Sequence, residues 1–130
     1  MTHDMTIALW CLLVAFSMTY VFSSLAKVGG ERKYNNYKPR EFLAKLEGWR
    51  ARAHAVQLNQ FEFLPMFVAS VLVATYVGKI PQATLDNIAM AIVASRVVYG
   101  CLYIGNYAPA RSLVWVLGFA GCISLFVMSA

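Results

Sequence analysis

The sequence predicts an all-α integral membrane protein, a bundle of four transmembrane helices, on three observations. Of its 130 residues 60% are hydrophobic and 13% charged, with a mean hydropathy of +0.60, too apolar for a water-soluble domain of this size. Thr6–Ala26 and Ser112–Ala130 contain no charged residue. Two further apolar stretches, Phe42–Val77 and Gln82–Asn106, flank the compact turn signal Gly78-Lys79-Ile80-Pro81. At about 20 apolar residues per span, the chain has room for four spans and little else, so a single domain over 1–130 is expected.

The helices are expected at about 5–27, 41–77, 82–105 and 110–129. The first span is longer than the apolar region of a secretory signal, and no Lys or Arg precedes it, so it is read as a membrane helix and not as a cleaved leader. The turn at 78–81 makes the second and third spans an antiparallel hairpin. The last span is a plain membrane helix. Cys11, Cys101 and Cys122 fall in or near apolar spans without ligand spacing, so packing is expected of them, with neither a metal site nor a disulfide framework.

Eight of the eleven basic residues lie between Lys27 and Arg52: Lys27, Arg32, Lys33, Lys38, Arg40, Lys45, Arg50 and Arg52, with Glu31, Glu41 and Glu47 among them. The positive-inside rule places this loop in the cytoplasm. The loop around Asn106 to Arg111 is then cytoplasmic too, and both termini and the Lys79 turn face the other side. A nucleic-acid surface is discounted, because the loop is short, mixed in sign and flanked by membrane spans. Tyr34, Tyr37 and Trp49 suit a membrane interface facing lipid headgroups, and the positive field would also draw an anionic ligand inward.

Against this apolar background the second span carries Glu62 and the third Arg96. Ionisable groups are expensive in lipid and must face protein or water. Glu62 lies 16 residues before Gly78 and Arg96 15 after Pro81, which at about 1.5 Å per residue gives them similar depth and makes them candidate partners. Arg52, Ala55, Asn59 and Glu62 recur at helical spacing as one polar stripe, with His54, Gln57 and Gln60 beside it. Arg96, Tyr99 and Tyr103 form a second stripe, and Arg111 opens the last helix just after Pro109. The stripes converge on the cytoplasmic side. They suit a small zwitterionic or anionic ligand with amide groups, although a buried pair that only sets helix register is an equal reading of Glu62 and Arg96.

The segment from Arg52 to Phe67, with Asn59-x-x-Glu62 followed by Pro65 and Phe67, resembles the signature of the MAPEG family, membrane-associated proteins in eicosanoid and glutathione metabolism. The segment from Arg96 through Tyr99 and Tyr103, then Pro109, Arg111 and Ser112, is similar to that family as well. Length, four spans and a basic first loop agree, so the resemblance covers nearly the whole chain, and the compact chain lacking retention signals suits a bacterial-type member in an inner membrane. It implies a homotrimer, with glutathione as co-substrate held between neighbouring subunits toward the cytoplasm. By resemblance, Asn59 and Glu62 hold the polar backbone and amino group of glutathione, and Tyr99 and Tyr103 donate hydrogen bonds. Arg96 is a structural or ligand-contacting partner, and Arg111 lies near the sulfur.

The implied chemistry is thiolate activation. A cation stabilises the ionised sulfur, which attacks a lipophilic electrophile or peroxide arriving from the bilayer, and Arg111 is the candidate for that cation. One position departs from the pattern. Catalytic members usually carry an arginine four residues before the asparagine, where this chain has Ala55, and Arg52, one turn earlier, is the candidate substitute. The departure keeps open a non-catalytic member that binds lipid-like ligands or serves as a scaffold. A four-helix multidrug transporter ranks below both, since its essential acid is expected in the first span, which here has none.

Overall fold

The structure, a computed structural model, describes residues 4–28 and 34–130; Glu31, Arg32 and Lys33 of the basic loop lie outside the described residues. It is all-α. The elements are α1 (Ile7–Lys27), α2 (Pro39–Ala44), α3 (Gly48–Val77), α4 (Gln82–Ile104) and α5 (Ala108–Ser129). Among the described residues α1, α3, α4 and α5 are long and apolar enough to cross a membrane. The shortest, α1 with 21 residues, is about 31 Å long, enough for a hydrocarbon core of about 30 Å. The chain is a multi-pass integral membrane protein.

The expected helix at 41–77 is divided. Residues 45–47 separate α2 from α3, and Gly48 takes φ +67°, a left-handed conformation that an uninterrupted right-handed helix cannot contain. Phe42 and Leu43 of α2 pack with Ala26 and Ala53, which pins the short helix across the basic end of the bundle. At the opposite end Gly78 caps α3 in the left-handed region, its N–H donating to the Ala74 carbonyl at 3.0 Å.

Each span buries one stripe at intervals of three and four. On α1 it runs through Ala8, Cys11, Ala15, Met18, Phe22 and Ala26; on α3 through Ala53, Val56, Gln60, Phe63, Phe67, Val71 and Ala74. On α4 it runs through Leu85, Ala89, Ile92, Arg96 and Tyr99, and on α5 through Gly118, Cys122, Leu125 and Ser129. Small side chains in these stripes let helices approach closely, which carries more weight in lipid, where burial of apolar surface drives little association. The outward faces present Trp10, Leu13, Phe16, Leu72, Val97, Leu117 and Val127, as a lipid-facing surface requires. Helix α1 packs mainly on α3, and α5 mainly on α4. Helices α3 and α4 touch each other across the centre.

Polar contacts join the helix ends. Thr6 Oγ1 accepts from the Leu9 N–H at 3.2 Å and Asp86 Oδ1 from the Ala8 N–H at 2.9 Å, which satisfies two amides at the positive end of α1. Arg50 is buried and donates through Nε to the Ala26 carbonyl at 3.0 Å and through Nη2 to the Lys27 carbonyl at 2.8 Å. Arg52 Nε donates to the Ile104 carbonyl at 2.8 Å. Two residues of the basic cluster thus close the negative ends of α1 and α4.

Candidate functional site

Four of the residues singled out by the sequence, Asn59, Tyr99, Tyr103 and Arg111, line one cavity of about 370 Å³ with Ser112, Trp115 and Val116. Asn59 comes from α3, the tyrosines from the last two turns of α4, and Arg111 and its neighbours from the first turns of α5. The turn between α4 and α5 is tight, with Asn106 at φ +65°, a conformation that asparagine tolerates better than most residues. It folds the start of α5 back beside Tyr103, so that the Arg111 guanidinium lies 3.9 Å above the Tyr103 ring. Tyr103 in turn meets Tyr99 edge to face, with centroids 5.7 Å apart.

Arg96 lies behind this wall. It is 2% exposed, and its guanidinium sits between the rings of Phe63 and Tyr99, 4.3 and 4.4 Å from their centroids. Its Nε donates to Gln60 Oε1 at 2.8 Å and its Nη2 to Asn59 Oδ1 at 2.6 Å, while Nη1 is buried without a hydrogen-bond partner. Gln60, 1% exposed, also donates from Nε2 to the Ala15 carbonyl at 3.0 Å, which ties α1 to α3 and α4.

The expected pairing of Arg96 with Glu62 is not formed. The argument from depth brings Arg96 to the correct turn of α3, but the face is different. At about 100° per residue, Asn59, Gln60 and Phe63 share an arc of about 100°, and Glu62 lies about 60° outside it. Glu62 is exposed, and among the described residues the ion pairs are those of Glu41 with Lys38 and Lys45, on the surface. Arg52 does not line the cavity either, because its guanidinium is engaged at the end of α4. Ala55 is half-buried.

Among the described residues the cavity is therefore rich in donors and lined by no acid. Neither the Arg111 side chain nor the Tyr99 and Tyr103 hydroxyls make a hydrogen bond to a described residue, and the positive charge of Arg96 stands behind Asn59 without a carboxylate beside it. Such a constellation accommodates an anion, with a guanidinium and two phenols to receive it. Among the described residues no cluster of His, Cys, Asp or Glu is arranged to hold a metal ion.

Gln60 and Trp115 belong to the site or its support without a role assigned from sequence, and Ser112 stands in the family-like segment with no role of its own. Gln60 was visible as an uncharged polar residue inside a span. Trp115 follows Arg111 by four residues, the spacing of a shared helical face, and Ser112 follows it directly in the family-like segment; those are the available signals.

No curated protein and no solved structure matches the chain. The model of the MAPEG family matches residues 7–130, nearly the whole length, and its four membrane-spanning helices fit that match. The chain belongs to the MAPEG family.

Proposed function

We propose that the protein is a glutathione-dependent membrane transferase or peroxidase that acts on lipophilic electrophiles. Family membership supports glutathione-related chemistry in general. The observation that carries the specific reading is the Arg111 guanidinium, which forms no ion pair with a described residue, on the wall of a cavity with no acid among its described lining residues. Arg111 stabilises the glutathione thiolate, and the proton released from sulfur passes to solvent. The thiolate forms a bond to the electrophilic atom of a lipid-soluble substrate and displaces its leaving group, or adds where there is none. With a peroxide it attacks the terminal oxygen, the O–O bond breaks and the alkoxide leaves as the alcohol after taking a proton from solvent; a second glutathione thiol then condenses with the sulfenic acid to give the disulfide and water. Tyr99, Tyr103 and Asn59 hold the polar parts of the tripeptide.

Glu62 supports assembly as a homotrimer. It is an exposed carboxylate about halfway along α3, expensive in lipid, and a second copy laid against this face would cover it and bring it to the site as a holder of the glutathione amino group. The exposed cations Lys38, Arg40 and Lys45 at the end of the bundle nearest Arg111 favour a cytoplasmic opening, and a bacterial inner membrane fits that orientation.

The test is spectroscopic. With glutathione, the purified protein in detergent should develop ultraviolet thiolate absorbance. Arg111→Ala should abolish it and lower turnover about 10- to 100-fold, the worth of one hydrogen bond to a charged group. Wild-type protein with neither thiolate nor glutathione-dependent turnover would sink the reading.

Ala55 and the engaged Arg52 favour a second reading, a binding protein without catalysis whose occupant is lipid-like. Native mass spectrometry separates the two. Three copies with bound glutathione support the first, and retained lipid with no glutathione at saturation supports the second.

A further inference from the structure

An amide side chain offers a donor on one side and an acceptor on the other, whereas a guanidinium has donors only. The two contacts made by Arg96 therefore fix the orientation of two amides. Gln60 turns its oxygen to Arg96 Nε, which sends its nitrogen the other way, and that nitrogen meets the Ala15 carbonyl at 3.0 Å. Asn59 turns Oδ1 to Arg96 Nη2 at 2.6 Å. Reversing either amide would set N–H against N–H. What remains to Asn59 is Nδ2, a pure donor that makes no hydrogen bond to a described residue, on a side chain that lines the cavity.

Arg96 is well placed to enforce this. Two aromatic rings hold its plane, Gln60 anchors Nε, and burial keeps water from competing. Its charge is balanced by no carboxylate among the described residues, so an anion received beside Asn59 would lie in its field.

We infer that Arg96 is a positioning residue: it locks the Asn59 amide with its nitrogen toward the ligand and makes this part of the cavity a receptor for a hydrogen-bond acceptor, a carboxylate above all. The inference rests on the glutathione reading, since glutathione carries two carboxylates. It separates two tasks within the site, with Arg111 acting on sulfur while Arg96 acts through Asn59 on affinity.

The experiment is a double-mutant cycle on the purified full chain. Glutathione affinity is measured by calorimetry, and thiolate absorbance is read per bound glutathione. Arg96→Lys keeps the charge and loses the fork; Asn59→Ala removes the amide. Each should weaken binding about tenfold, and the double variant should be about as weak as either alone. Thiolate yield per bound molecule should stay at the wild-type level, which a general loosening of the bundle would not spare.

Losses that multiply to about a hundredfold, or unchanged affinity in Arg96→Lys, would overturn the inference. If Arg96→Lys does not fold, Asn59→Asp decides, because it keeps an oxygen for Arg96 and has no N–H to offer. It should keep the unfolding temperature and lose at least about tenfold in affinity, and wild-type affinity would refute the proposal. Wild-type protein that binds no glutathione removes the reading underneath and the inference with it, whereas lost coupling with intact wild-type binding removes the inference alone.

Discussion

Gln60 has both halves of its amide in use where α1, α3 and α4 meet, receiving a hydrogen bond from Arg96 and giving one to the Ala15 carbonyl. Replacing it with leucine roughly keeps the volume and strands the buried Arg96 Nε, while the Ala15 carbonyl keeps only its bond within α1. Gln60→Leu should cost about 1–3 kcal/mol, read as a lower midpoint of denaturant unfolding in detergent. Glutathione affinity should fall as well, since Arg96 loses one of its anchors. At this scale the sequence was partly readable. Arg96 and Asn59 stood out because charge and amide are rare in apolar spans, and helical rise gave their depth. The partner of Arg96 was not readable, because choosing between Glu62 and the Asn59–Gln60 pair requires the rotation of α3 against α4, which packing sets. Sign alone speaks for Arg50, and helical spacing puts Arg52 in the polar stripe; neither discloses their acceptors, which are backbone carbonyls at helix ends that no residue type marks.

Among the elements, α1 and α4 depend on a close approach at Gly100, where a Cβ would collide with the Phe22 ring. Phe22 and Gly100 are both buried. Gly100→Ala should therefore destabilise by about 1–3 kcal/mol despite alanine's better helix propensity, and Phe22→Leu should recover part of the loss in the double variant. Equal stability of Gly100→Ala and wild type would mean that the clash costs no more than alanine's helix propensity returns, about 1 kcal/mol. The four spans were legible because lipid demands long uncharged stretches, and the turn at Gly78 because it combines Gly and Pro. The division into α2 and α3 was not, since Gly48 in a helical pattern does not disclose the sign of its φ, and Phe42 and Leu43, ahead of the break, extend the apolar pattern of the helix that follows.

The whole molecule has two unlike ends. At one lie both described ends of the chain and the Lys79 turn, where Lys79 Nζ reaches the Ala130 carbonyl at 2.7 Å. At the other lie the exposed cations, α2 and the donor-lined cavity. Most of the basic residues that set this polarity never touch the cavity. An anion drawn toward that end would meet Arg111 on the wall and Arg96 behind it. Whether the anion is glutathione is the central claim, and a titration of wild-type protein with glutathione, followed by ultraviolet thiolate absorbance, tests it most directly. The account predicts a saturable signal that Arg111→Ala abolishes. A flat titration, with lipid retained on the protein, would contradict it.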